Sequence, residues 1–245
     1  MISASVLGDD AHQLSHVAAL AKLQRHWLFV ARQPQLDVGI DVEVPEGQTC
    51  CGQPAYNSGQ PEEAQSMAEH TLEVFADAEY VVLPSGSCAG MMRCFYPGLV
   101  GSDLRVTSLV ERTYELSQFL RTVLEIDSLG SGLQGRRVAY HHGCHALREL
   151  GVKDEPVALL AGCGAEVVPW EADEECCGFG GLFSAKLPEV SAAMADRKID
   201  TLPDVDFVTS TDGGCLLQLT GRGQKRGTGT EFVHLASALW RGVAE

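Results

Sequence analysis

The motif Cys-Cys-Gly occurs twice, as Cys50-Cys51-Gly52 and Cys176-Cys177-Gly178, about 126 positions apart. Consecutive residues of an extended strand point to opposite faces, so adjacent cysteines bring both sulfurs to one place only on a bend. Glycine supplies such a bend because it lacks a Cβ and enters positive φ freely. The second copy is glycine-rich, reading EECCGFGG from Glu174 to Gly181. The shift that superposes the pairs also brings Cys88, in LPSGSCAGM, within one residue of Cys215, in TSTDGGCLL. Self-similarity of this kind marks a repeated structural unit.

Each copy follows the same order. A β-branched run precedes each pair, at residues 40–44 and 166–168. Pro61 and Pro188 then open helical stretches; in the first, Ala64, Met67, Ala68, Leu72 and Phe75 share a face. Strands over residues 80–83 and 207–209 lead into the loops of Cys88 and Cys215. The predicted fold is α/β: two pseudo-repeated parallel α/β units, each with its CCG motif at strand C-terminal ends, where ligands collect in such sheets. The Gly/Ser-rich stretch IDSLGSGLQGRR ends an amphipathic helix expected over residues 107–124. It divides the chain into units 38–128 and 129–245, after an atypical segment 1–37. Residues 138–140 read as a further strand and HHGCH as the turn after it, so Cys144 also stands at a strand end. Its counterpart in the first unit would fall near Ala18, and no cysteine precedes Cys50.

A formal charge of −15 and a pI near 4.9 argue against nucleic acid or an anionic membrane as partner, since both demand clustered Lys and Arg. No stretch reaches the roughly 18 apolar residues of a membrane span, and no leader pattern opens the chain, so a soluble cytoplasmic protein is expected. Nine cysteines exceed casual core packing in such a chain, yet are too few for a disulfide scaffold of this length. Four of them, Cys144, Cys176, Cys177 and Cys215, meet the usual count for an iron–sulfur cluster held by thiolates from separate loops. The glycines around them would bring backbone N–H groups close to sulfur. The first unit offers three, Cys50, Cys51 and Cys88.

Other readings compete for these residues. Zinc in one site would account for four cysteines, with His141, His142 or His145 able to join, although structural zinc normally uses separated CxxC knuckles. A redox-active dithiol would need only two of the aligned cysteines. Cys94 and Cys163 fall outside the repeat and are expected to be small buried hydrophobes. The histidines read as turn, packing or supporting residues, and Glu171, Asp173, Glu174 and Glu175 as a solvated acidic loop. Asp212 has no recognisable partner in the sequence, and no acid–base residue is assigned. There is no GxGxxG opening a helix after a first strand, so flavin or nicotinamide binding is not expected.

The stretches HHGCHALRELG, CCGFGGLFSAKLPEVSAAMADRKI and STDGGCLLQL, with PEGQTCCGQPAYNSG and LPSGSCAGMM, resemble the cysteine-rich CCG-domain proteins. The resemblance is nearest to their lactate-utilisation A branch and covers residues 38 to about 240. More distant relatives are the iron–sulfur subunit of glycolate oxidase and a subunit of heterodisulfide reductase. It implies an iron–sulfur oxidoreductase component that oxidises L-lactate to pyruvate with lactate utilisation proteins B and C. It also implies a [4Fe–4S] cluster in each fully ligated unit. The best-ligated relatives end each unit with CxxC; here Ser85 and Asp212 stand at the first of those positions. If residues 1–37 are native, the first site is one thiolate short and its sheet lacks an inner strand; a wrong start or frame shift would explain the abrupt onset of the resemblance. The cluster is therefore expected in the second unit. The alternatives are a zinc- or iron-stabilised non-catalytic scaffold, or a component of a related 2-hydroxy-acid or heterodisulfide oxidoreductase.

Overall fold

The computed structural model describes residues 2–6 and 40–243. Among them, eight short strands form two four-stranded sheets. The first sheet contains β1 (Ile2–Val6), β2 (Ile40–Glu43), β3 (Tyr80–Leu83) and β4 (Thr113–Glu115), in the order β2-β1-β3-β4. The second contains β5 (Arg137–Tyr140), β6 (Glu166–Val167), β7 (Phe207–Ser210) and β8 (Glu231–His234), in the matching order β6-β5-β7-β8. The second sheet is parallel throughout. In the first, β3 and β4 are parallel, while β1 runs antiparallel to both of its neighbours. The inner strand expected to be missing is thus present, with its direction reversed. Because β2 and β3 both oppose β1, they still end at the same edge. The reading of residues 1–37 as a wrong start or frame shift falls, β1 apart, outside the described residues.

Period-2 alternation sorts the strand side chains between two layers. Val82, Val138, Tyr140 and Phe207 face a core shared by both sheets, while Val81 and Leu83 face the first unit's own helices and Ala139 and Val208 those of the second. Leu116, Phe119, Leu159, Leu160, Leu235 and Leu239 fill the shared layer from the helical segments between the sheets. Contacts across this layer hold the two halves of the chain together by apolar burial.

The helices Pro61–Val74 and Pro188–Asp200 form where their prolines and apolar faces place them. The long helix expected over residues 107–124 does not form. A helix begins earlier, at Leu104–Glu111, because Asp103 Oδ1 accepts from the amides of Arg105 (2.9 Å) and Val106 (3.1 Å). The chain then extends through Thr113 and Tyr114, residues that favour a pleated, half-buried surface, to make β4. Helix resumes at Leu116–Gln118 and continues as a π-helical turn over Phe119–Val123. The second unit ends in the same way, with β8 followed by the helix Leu235–Val243.

Glu115 closes β4 and caps the turn after it. One carboxylate oxygen accepts from the amides of Ser117 (2.8 Å) and Gln118 (3.2 Å) and from the Ser117 hydroxyl, while Oε1 is buried without a partner. Burial pushes its pKa from 4.5 up to about 7, against the lowering effect of those donors. A folded-state pKa above the unfolded one gives a contribution that is complete below pH 4.5 and lost as the pH rises through about 7. The unfolding free energy of the native chain, from urea titrations, should fall relative to that of Glu115→Gln by an amount on the order of 3 kcal/mol across that window. A difference independent of pH would refute this account.

Candidate metal centre

Parallel pairing in the second sheet sets the site. β6, β5 and β7 are neighbours, and their C-terminal ends deliver Cys176-Cys177, Cys144 and Cys215 to one edge. The four sulfurs lie in a chain of contacts, Cys144 to Cys176, Cys176 to Cys177 and Cys177 to Cys215. Cys177 and Cys215 are buried, and Cys144 and Cys176 are half-buried at the rim. In the first unit, Cys51 touches both Cys50 and Cys88. That group has three sulfurs, with Cys50 exposed and Cys51 buried. All seven repeat cysteines therefore gather in two places, as the motif spacing implies, and all nine cysteines are free thiols.

The bend has the expected cause. The third residue of each motif, Gly52 or Gly178, has φ near +85°, a conformation L side chains rarely adopt. A Cβ on Gly178 would also stand 2.5 Å from the Ser191 carbonyl oxygen, so only glycine fits between the cysteine loop and the helix behind it. Past each turn, backbone donors aim at sulfur: Gly178 N–H at Cys176 Sγ and Phe179 N–H at Cys177 Sγ, both at 3.4 Å. Hydrogen bonds from Cys144 and Cys177 hold the Cys176 thiol well below its ordinary range, making it the foremost thiolate of the group. Cys144 and Cys177 are correspondingly raised, as the donors in those contacts.

The carbonyl of Asp173 organises the floor of the site. It accepts from His141 Nδ1 (3.1 Å), from the backbone N–H of His142 (3.0 Å) and from Lys198 Nζ (3.4 Å). Lys198 is completely buried, donates also to the Ala172 carbonyl, and lies over the Trp170 ring at 4.3 Å. Burial lowers its pKa to about 8, opposed by the nearby Cys177 thiol. His141 is also fully buried; its pKa is lowered to about 3, first by burial and then by the Lys198 charge. A ring nitrogen of His141 and the sulfurs of Cys177 and Cys215 lie within 4.8 Å of one another. Thiolates with imidazole suit zinc or iron–sulfur groups.

One expectation needs correction: Cys163 is buried, but Cys94 is exposed, its thiol 3.8 Å from the Glu149 carbonyl oxygen. His145 pairs with Glu149 (2.7 Å). The acidic run lies at the surface and carries ion pairs: Arg197 bridges Glu171 and Glu175, and Lys153 pairs with Glu174. Lys198 is not among the site residues expected from the sequence, although it falls on the buried face of its helix with Ser191 and Ala195, a spacing visible in the sequence.

Asp212 has partners that no local pattern could reveal. Its Oδ1 accepts from Ser87 N–H at 2.8 Å, across the boundary between the units, with the Ser85 hydroxyl at 3.4 Å. The position equivalent to Asp212 in the first unit is Ser85, three residues before Cys88 as Asp212 is before Cys215, so two equivalent positions meet each other. Nearby, His234 Nε2 lies 3.0 Å from the Pro84 carbonyl oxygen and 2.9 Å from that of Thr211. The helices Gly86–Gly90 and Cys144–Arg148 pack so closely that a Cβ on Gly86 would overlap Ala146.

The cysteine-rich domain family, CCG, matches residues 36–93 and 138–220. The chain belongs to this family. Curated relatives include lactate utilization protein A of Geobacillus sp. (strain WCH70), 43% identical over 209 residues that cover 82% of this chain and 87% of the relative. The proteins of the same name from Geobacillus kaustophilus and Bacillus cereus (strain G9842) are 44% and 41% identical over the same shares of both chains. In this CCG protein the two matched segments carry the two sulfur groups described above. No helix among the described residues is long and apolar enough to cross a membrane.

The Asp212 clamp yields a coupling test. A Cβ on Gly143 would overlap the Asp212 carboxylate. Gly143→Ala should cost about 1–3 kcal/mol through overpacking, and Asp212→Ala about 1–3 kcal/mol through the lost charge-assisted hydrogen bond. Urea unfolding of the double variant should show a loss smaller than the sum, because removing the carboxylate makes room for the methyl group. Strict additivity would show that the two positions do not meet.

Proposed function

We propose that this chain is the iron–sulfur component of a cytoplasmic system that oxidises L-lactate to pyruvate, working with lactate utilisation proteins B and C. The observation that carries this reading is the convergence of four cysteine sulfurs from three adjacent parallel strand ends. It is supported by extensive similarity to proteins named for lactate utilisation. In this reading Cys144, Cys176, Cys177 and Cys215 hold a [4Fe–4S] cluster, and Cys50, Cys51 and Cys88 form a second, three-thiolate site. The units 38–128 and 129–245 each frame one site. A bound cluster supplies one-electron exchange.

The chain's own groups suit that task. The amides of Gly178 and Phe179 offset thiolate charge, and the buried Lys198 adds a positive charge behind the site. Buried Cys177 and Cys215 keep one side dry, while Cys144 and Cys176 at the rim give the side nearer to a partner. Oxidation of lactate to pyruvate releases two electrons and two protons. With no hydride-carrier motif in the sequence, a partner protein provides the two-electron step and this chain relays electrons.

Protein purified without oxygen should contain iron and sulfide at about four each per chain, with a paramagnetic signal that responds to reduction. Cys177→Ala should lose most of that iron and the signal. L-lactate should reduce the centre only when proteins B and C are present. Zinc without sulfide would instead assign the chain to a metal-stabilised scaffold, a reading to which the nitrogen–sulfur group of His141, Cys177 and Cys215 lends some chemistry.

A further inference from the structure

In the turn that leads to Cys144, two buried ring nitrogens have no hydrogen-bond partner, Nε2 of His141 and Nδ1 of His142. His141 is completely buried, and its Nε2 makes no hydrogen bond. An unmet buried polar atom costs about 1–3 kcal/mol, so a fold retains one only where something else engages it. The residue is held on several sides. Its backbone N–H donates to the Thr209 carbonyl at 2.8 Å, continuing the β5–β7 ladder, and its face meets Trp170 edge-on at 6.3 Å between centroids. Nδ1 lies 3.1 Å from the Asp173 carbonyl oxygen. A carbonyl can only accept, so Nδ1 carries the proton and Nε2 presents a lone pair. This is the arrangement of a metal-binding histidine, which almost always donates its other N–H to a carbonyl or carboxylate. A nitrogen of this ring and the sulfurs of Cys177 and Cys215 lie within 4.8 Å of one another, so the ring borders the sulfur group.

We propose that His141 Nε2 is a direct iron ligand in the second site, taking one of the four terminal positions of a four-iron cluster, with thiolates drawn from Cys144, Cys176, Cys177 and Cys215 at the other three. The inference rests on the reading that this site holds an iron–sulfur group. It gives the Asp173 carbonyl a purpose: by accepting from Nδ1 it fixes both the tautomer and the angle of the ring. It also separates His141 from its neighbours. His142 lies edge-on to Tyr140 at 4.8 Å and, although its Nδ1 is also unpartnered, it is not in the nitrogen–sulfur group with Cys177 and Cys215, and His145 pairs with Glu149. A neutral nitrogen donor raises the potential of an iron–sulfur centre relative to an all-thiolate one.

The test is pulsed electron paramagnetic resonance on the reduced full-length protein, prepared without oxygen at natural abundance and with 15N-histidine, alongside iron, sulfide and zinc analysis. The expected result is a strongly coupled nitrogen whose frequencies change on labelling. It should persist in His142→Asn and vanish in His141→Ala, and His141→Cys should shift the midpoint potential downward. Labelling of the native chain decides the matter even if His141→Ala fails to fold. Iron and sulfide with only weakly coupled nitrogens, insensitive to labelling, would overturn the ligand assignment while leaving the iron–sulfur reading intact. Zinc without sulfide would overturn both.

Discussion

Parallel pairing of β5 with β6 on one side and β7 on the other is the constraint on which the second site depends. Parallel strands end at a common edge, so residues separated by more than seventy positions in the chain become neighbours without any contact of their own to draw them together. Cys144, Cys176, Cys177 and Cys215 are collected in this way. The sulfurs contribute little to folding; the sheet is stabilised by burial of Val138, Tyr140 and Phe207 on one face and Ala139 and Val208 on the other. The apolar layers carry the stability and leave the loop residues free to serve the site.

A second level of organisation lies between the units. Asp212 and Ser85, at equivalent positions of the two cysteine loops, join across the boundary, with the Ser87 amide as the main donor. The helix that carries Cys88 packs on the helix that carries Cys144 at the close approach of Gly86 to Ala146. Both helices begin at strand ends, so their placement follows from the two sheets and the apolar layer they share. The two sulfur groups are therefore held in one framework, and a change at the boundary acts on both.

The repeat, the strands before each cysteine pair and the helices opened by Pro61 and Pro188 are legible because they are local. Hydrophobic period and proline position act within a few residues. The stretch around Thr113 reads as helix because Leu109, Leu116, Phe119 and Leu120 keep a helical spacing on either side of β4. Both flanks are helical, and only pairing with β3 pulls Thr113–Glu115 into a strand. Strand β1 is hidden for the same reason: its place depends on a gap between β2 and β3. Lys198 is legible in principle, from its position on a buried helical face.

The sequence by itself determined the chemistry available to this protein: two Cys-Cys-Gly bends, two further cysteine loops, the extra Cys144 and the absence of a hydride-carrier fingerprint. These are properties of residue type and spacing. Tertiary structure alone decided which groups meet. It brought the buried ring of His141 within reach of Cys177 and Cys215, set Lys198 behind them, and bound Asp212 to the opposite unit. The physical reason is that a lone pair or a buried charge acts over a few ångströms in space, and its neighbours there are selected by sheet order and helix packing rather than by proximity along the chain.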